Sequence, residues 1–320
     1  MASTIQTVTG PVAAGELGAT LVHEHVFCAS AGVATAWPGL YGGREALIER
    51  SVEILRRTVA AGIEAMVDAT PFDLGRDVTL LRECAERSGM RIIASSGHWL
   101  VPSPTFTNRS VAQLAQLFIT ELTTGADGTD IPCGMIKVAS EERIEPFDRK
   151  VLEAAVIAHK ETGAGILTHA AVRNRIGEAQ ADIFEELGMD PGRVIIGHSD
   201  DTTDITYITG LADRGFLIGM DRIACGQLPE YGAQRVPDRL RMIAELVARG
   251  YAGHLTLSTD DPICAPLLTE EDQRRHTEAN PDAMGFIPLV AIPGLRDLGV
   301  DDAAIHAMTV DAPRRWLAGA

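Results

Sequence analysis

The chain reads as a single (β/α)8 barrel, an α/β fold, and three observations predict it. Apolar, β-branched runs alternate with helix-length amphipathic segments eight times along the sequence. No Pro/Gly/Ser-rich linker divides the 320 residues, so residues 1–320 are expected to form one domain. A composition of 46% hydrophobic but only 5% aromatic residues supplies an aliphatic core. A strand-then-helix alternation of this length favours a closed parallel barrel over an open doubly wound sheet.

The eight expected strands are ATLVHEH (19–25), EAMVDAT (64–70), RIIASSG (91–97), CGMIKVA (133–139), GILTHA (165–170), RVIIGHS (193–199), FLIGMDR (216–222) and HLTLSTDD (254–261). Between them lie helical patterns such as REALIERSVEILRRTVAAG, RDVTLLRECAERSG, SVAQLAQLFITELTTG, FDRKVLEAAVIAHKETG and PDRLRMIAELVARG, each closing on a glycine as helix C-termini often do. After the eighth strand, NPDAMGFIPLVAIPGLRDLG and DDAAIHAMTVDAPRRWLAG predict two further helices packed on the barrel.

Charge and cysteine usage exclude several classes. With 28 basic against 44 acidic residues, the formal net charge of -16 repels nucleic-acid phosphates and anionic membranes, so neither is an expected partner. The amino terminus lacks the basic start and apolar block of a secretory signal, and no run is long enough to span a bilayer; a cytoplasmic location is expected. Cys28, Cys84, Cys133, Cys225 and Cys264 are an odd, scattered set without a C-x-x-C pair, which reads as free thiols.

In parallel barrels the reactive side chains come from the carboxyl ends of the strands. The unusual polar residues fall there. His23 and His25 close the first strand, one residue apart and therefore on one face of it. Lys137 sits late in the fourth strand, His169 closes the fifth, His198 the sixth and Asp260 the eighth. Singly, each has a structural explanation: a buried histidine bonded to a carbonyl, a lysine reaching out of the barrel mouth, an aspartate capping the next helix. Six such residues on one rim do not.

Four imidazoles and a carboxylate suit zinc, and also cobalt, manganese or iron. A catalytic zinc takes three protein ligands and keeps one position open, so five donors point to two divalent ions sharing a bridge. Lys137 would face both cations and has to be neutral there. A neutral amine can add carbon dioxide and become a carbamate, an anionic ligand able to bridge.

H-x-H on strand one, I-K-V on strand four, T-H on strand five, G-H-S-D-D on strand six, G-M-D-R on strand seven and S-T-D-D on strand eight together resemble the bacterial phosphotriesterase family of the amidohydrolase superfamily, which includes the phosphotriesterase-like lactonases. The likeness runs over essentially the whole chain, including stretches without a ligand such as IFEELGMDPGRVIIGHSDDT and NPDAMGFIPL. The resemblance implies that His23, His25 and Asp260 bind a more buried metal, that His169 and His198 bind a more exposed one, and that carboxylated Lys137 and a hydroxide bridge them. It further implies attack by that hydroxide on a small ester, with Asp260 accepting the proton. It also implies a homodimer, for which exposed apolar residues near Trp37 and Phe72 would serve.

The pattern departs from the pesticide hydrolases after the strand-seven aspartate, Asp221. Those enzymes carry a histidine there, in a proton relay towards the aspartate that is Asp201 in this sequence; this chain has Arg222, which cannot shuttle a proton. Arg222 resembles the lactonase branch, whereas Trp99 on the strand-three rim resembles the phosphotriesterases. Leu74, Trp99, Arg222 and Ile263 are expected to line the substrate pocket, and Arg222 either contacts substrate or neutralises the neighbouring aspartates. A lactone or carboxylic ester is the favoured substrate, a phosphotriester the alternative, and a non-catalytic metal-binding barrel the alternative of another class.

Overall fold

The computed structural model describes residues 3–228 and 234–319. Strands β1 (Thr4–Thr7) and β2 (Gly10–Ala13) form an antiparallel hairpin. The barrel sheet contains β3 (Thr20–Glu24), β4 (Ala65–Asp68), β5 (Arg91–Gly97), β6 (Met135–Ser140), β7 (Gly165–Ala170), β8 (Val194–Ile196), β9 (Leu217–Met220) and β10 (Leu255–Leu257). Its strands neighbour one another in chain order and pair in parallel throughout. Each of the eight expected runs coincides with one of them, mostly longer than the strand it holds, because pairing stops where the chain turns out at the barrel mouth; β6 alone runs one residue past its expected end, to Ser140. The hairpin lies outside those runs. Its arms are only four residues each, too short for a period-2 pattern to stand out.

Helices Arg44–Ala60, Val78–Ser88, Val111–Thr123, Pro146–Thr162, Ile176–Glu186, Ile205–Asp213 and Val236–Ala248 cover the outer face. Local chemistry fixes their ends. Asp77 accepts the N–H of Leu80 at the start of the second, Ser110 and Gln113 form a capping box on the third, and left-handed Gly163 closes the fourth. The two expected carboxyl-terminal helices are present over 283–297 and 302–318, each with a π-helical turn, Ile287–Ala291 and Ala307–Asp311. A helix over Glu270–Ala279 was not expected from the sequence. It buries none of its residues and so carries no apolar stripe to read. Among the described residues no helix is long and apolar enough to cross a membrane, and all five cysteines are unpaired thiols.

The barrel interior is a separate apolar cluster in which Val22, Val67, Ile93, Met135, Leu167, Ile195 and Leu217 meet. Ile5 of the hairpin and Trp316 of the last helix close its lower end, with Trp316 Nε1 donating to the Ile166 carbonyl at 3.2 Å. Side chains alternate in a strand, so the residue two positions after an inward apolar one also faces inward, nearer the mouth. Met135 is followed in this way by Lys137, Leu167 by His169, and Leu217 by Gly219 and then Asp221. Packing at the bottom therefore aims the polar side chains at the top.

β3 and β10 meet at a seam held by isolated bonds among the described residues. Ser258 Oγ accepts the N–H groups of Val22 and His23 at 2.8 and 3.0 Å, and Asp260 N–H donates to the His23 carbonyl at 3.1 Å. The β3–β4 register shifts between Leu21 and Glu24. That irregularity lets Val22 join the interior cluster while the adjacent His23 also reaches inward, a departure from strict alternation. His25 lies just beyond the strand.

Candidate metal centre

Asp221 organises two of the histidines from behind. It is fully buried; its Oδ2 lies 2.7 Å from His23 Nδ1, and its Oδ1 lies 3.0 Å from His198 Nδ1 and accepts the His198 backbone N–H at 2.7 Å. Room for this carboxylate inside the barrel comes from Gly219, where a Cβ would stand 2.5 Å from Asp221 Oδ2. Burial opposes its charge, but His198 and His23 outweigh burial and hold it far below the usual carboxylate range. An ionised carboxylate only accepts, so both imidazoles carry their proton on Nδ1 and turn an Nε2 lone pair to the barrel mouth.

His169 is oriented the other way round. Its Nε2 lies 2.6 Å from Glu141 Oε2, so the proton sits there and Nδ1 faces His198 Nε2 at 2.8 Å. Two lone pairs held face to face repel each other, and a shared cation removes that repulsion. His23 Nε2 is 2.6 Å from Lys137 Nζ and 3.3 Å from Asp260 Oδ1. His25 Nε2 is 3.1 Å from the same oxygen, with its Nδ1 on Thr70 Oγ1 at 2.8 Å. Ligating atoms of His23, His198 and Asp260 all lie within 4.8 Å of one another. The donor set fits a divalent cation.

Protonation agrees with that fit at three of the four rings; at His25 burial is outweighed by Cys28 and Asp260, which raise it well above the ordinary imidazole value. Burial, reinforced by Lys137, lowers His23 to about 4. Burial, then Arg222, takes His198 well below the ordinary imidazole value, and burial lowers His169. These rings are uncharged at neutral pH, the form that binds a metal. Burial also lowers Lys137 to about 8. Asp260 stays ionised because His23, His198 and Arg222 outweigh the burial that opposes its charge. His198 and Asp260 also have left-handed backbone, with φ of 58° and 52°. Such conformations are uncommon outside glycine and persist where surrounding bonds impose them, as the bonds from Asp221 and across the seam do here.

A cavity of about 290 Å³ opens over these atoms, walled by Leu74, Trp99, Arg222, Cys225, Ala265 and Leu267. Arg222 is anchored by Nε on Asp260 Oδ2 at 2.8 Å and by Nη1 on Asp201 Oδ2 at 2.9 Å.

A profile of the Phosphotriesterase family matches residues 3–317. The chain belongs to the phosphotriesterase family. Its relatives include a phosphotriesterase homology protein of Mycobacterium tuberculosis, 31% identical over 328 residues that cover 97% of this chain and 96% of the relative. An aryldialkylphosphatase of Saccharolobus solfataricus is 32% identical over 305 residues, covering 94% and 95%. An N-acetyltaurine hydrolase of Xenopus tropicalis is 25% identical over 348 residues, covering 98% and 97%. As a member of the phosphotriesterase family the chain is a metal-dependent hydrolase.

In this phosphotriesterase-family barrel, His23, His25, Lys137, His169, His198 and Asp260 converge from five strand ends on one cavity or its immediate wall. Leu74, Trp99 and Arg222 line the same cavity. Ile263 does not: its side chain packs into the layer between sheet and helices, and it lines a neighbouring cavity of about 520 Å³. The expectation for Ile263 is corrected on this point. Its N–H pairs with the His25 carbonyl, and that link sets which side of the segment faces the site; Pro262 and Ala265 take the pocket positions instead. Asp201 stands behind Arg222, bonded to it and to Arg239, rather than in the pocket wall.

Sequence reasoning missed Glu141 and Thr70 as partners of His169 and His25, and left Asp221 without a role. Glu141 immediately follows β6 and Thr70 lies two residues past β4, so their position at strand ends was the available signal. Nothing in the sequence pairs them with particular histidines.

Proposed function

We propose that the chain hydrolyses an ester bond of a small, mostly neutral molecule, a lactone or carboxylic ester before a phosphotriester, with two divalent cations held by His23, His25, Lys137, His169, His198 and Asp260. The observation that carries this is the facing of imidazole lone pairs, fixed from behind by Asp221 and Glu141, beside an ionised Asp260 under one cavity. His23, His25 and Asp260 would hold one cation, His169 and His198 the other. When bound, the cations supply Lewis acidity towards the substrate oxygen and a hydroxide nucleophile. Zinc is the favoured ion; cobalt, manganese and iron suit the same donors.

The protein's own groups do the rest. Lys137, buried and with its amine lowered to about 8, would add carbon dioxide as the neutral amine, release one proton and become an anionic carbamate that could hold a cation. Asp260, whose Oδ2 is held by Arg222, is the carboxylate that would accept a proton at the site. Arg222 keeps its proton and stabilises negative charge that develops at the pocket wall. Leu74 and Trp99 supply an apolar wall that suits a neutral substrate.

Phosphotriester hydrolysis is the second reading, favoured by the aryldialkylphosphatase relative; the tetrahedral species formed from a lactone resembles a phosphotriester in shape. Metal analysis and a substrate panel test the proposal. Close to two transition-metal ions per chain, hydrolysis lost on chelation, and higher kcat/KM on lactones or aryl esters than on triesters or N-acetyltaurine are expected. A stable metal-free protein refutes it, and triesters ahead by orders of magnitude reverse the substrate order. The same reading takes the exposed Trp37 and Phe72 as part of a face for a second copy of the chain, which light scattering checks as a dimer mass.

A further inference from the structure

Arg239 lies in the first turn of the helix Val236–Ala248, where a cation opposes the helix dipole, and its side chain is wholly buried. A buried guanidinium persists only against well-placed acceptors. Arg239 has them. Its Nη1 donates to Asp200 Oδ2 and to the Asp200 carbonyl, both at 2.7 Å, its Nη2 to Asp201 Oδ1 at 2.7 Å, and its Nε to the Gln234 carbonyl at 3.3 Å. From Asp201 the bonds continue to Arg222 and on to Asp260, so charges alternate from the helix to the metal-site carboxylate. From Asp200 a second branch runs to β9: Asp200 Oδ1 accepts the backbone N–H groups of Asp221 and Arg222, each at 3.1 Å.

We infer that Arg239 is a positioning residue for the catalytic site, holding the Asp260 carboxylate through Asp201 and Arg222 and the Asp221 backbone through Asp200. The two aspartates are adjacent in sequence and would repel each other without the cation between them. With Arg239 in place, Asp201 presents one oxygen to Arg239 and the other to Arg222. The guanidinium of Arg222 is thereby aimed with Nε on Asp260. Without Arg239, Asp201 has no second partner and competes with Asp260 for Arg222, and the end of β9 loses the buttress that sets Asp221 against His23 and His198.

The inference rests on the hydrolase function proposed above, so its test has one arm that needs no metal. In chelated protein, the NMR resonance of the Arg222 Nε–H group, assigned with Arg222→Met, reports the bond to Asp260. Arg239→Met is expected to shift that resonance. In cobalt-loaded protein it is expected to change the cobalt absorption bands, weaken metal binding about tenfold and lower kcat with KM little changed. Arg239→Lys restores part of each, and adding Arg239→Met to Arg222→Met costs less than Arg239→Met alone, because only the branch through Asp200 is left to break. An Arg239→Met protein that only melts earlier, with the resonance, cobalt bands and kcat of the wild type, overturns the inference. If Arg239→Met does not fold, Asp201→Asn cuts the same chain at a less buried link and is held to the same outcomes. A wild type that takes up no cobalt defeats the hydrolase function, while the resonance still decides the role of Arg239.

Discussion

Replacing Asp221 by asparagine changes almost no volume and removes one property, the ability of both side-chain termini to accept. Asp221 accepts three bonds, from His23 Nδ1 at 2.7 Å, His198 Nδ1 at 3.0 Å and the His198 backbone N–H at 2.7 Å. An amide has one acceptor oxygen. With that oxygen kept on the two His198 donors, the amide NH₂ faces His23 Nδ1, and the ring can satisfy it only by moving its proton to Nε2. Nε2 is the atom beside Lys137 and Asp260, so the lone pair turned towards the barrel mouth, the one a cation would need, is lost. The reverse orientation leaves two His198 donors facing the amide NH₂ instead. Loss of a carboxylate behind a ligating imidazole lowers metal affinity about 10- to 100-fold, or about 1.4 to 2.8 kcal/mol. Competition of Asp221→Asn and wild type against a chelator of known affinity, with cobalt as the reporter, measures it. Affinity within about twofold of wild type would refute the tautomer argument, because the fold and every ligand are otherwise retained.

Three further outcomes follow from the same geometry. With Lys137 lowered to about 8, only about one-tenth of the amines are neutral at pH 7 and about nine-tenths at pH 9, so metal loading of the chelated protein at a fixed concentration of dissolved carbon dioxide should accelerate about tenfold over that range and level off above it; a flat profile contradicts the neutral-amine route. In the chelated protein His23 titrates at about 4 against an ordinary 6.5, so between those values the unfolded chain holds a proton that the folded chain refuses. Stability is therefore full above pH 6.5 and falls as pH drops through 4, by about 3 kcal/mol from this ring; urea unfolding at pH 7 and pH 4 measures it, and an unchanged slope in His23→Asn argues against it. Gly219→Ala places a Cβ 2.5 Å from Asp221 Oδ2 and 3.0 Å from the Gly197 Cα, and should destabilise by about 1–3 kcal/mol and weaken metal binding. Gly210→Ala, with nothing within 4 Å and a helical backbone, is the control and should be neutral or stabilising in thermal melts.

The barrel and the placing of polar side chains at its strand ends were legible because both follow from short-range periodicity. Leu167 and His169, or Met135 and Lys137, are two residues apart on one strand, so the residue that fills the interior also dictates where the next polar side chain points. The hairpin Thr4–Ala13 and the helix Glu270–Ala279 were not legible for the opposite reason: neither presents enough buried residues at a regular spacing.

The sequence by itself determined the eight barrel strands, the alternation of helices with them, and which side chains stand at the strand ends, since pleat and helix periods are local properties of the chain. Only the tertiary structure decided that Asp221 turns two imidazoles outward, that Glu141 turns a third against them, that Arg222 grips Asp260, and that Ile263 faces away from the cavity. The first three are hydrogen bonds between residues 23 to 198 positions apart, the last follows from the bond of Ile263 N–H to the His25 carbonyl, and all are set by the closure of the barrel, which no local pattern encodes.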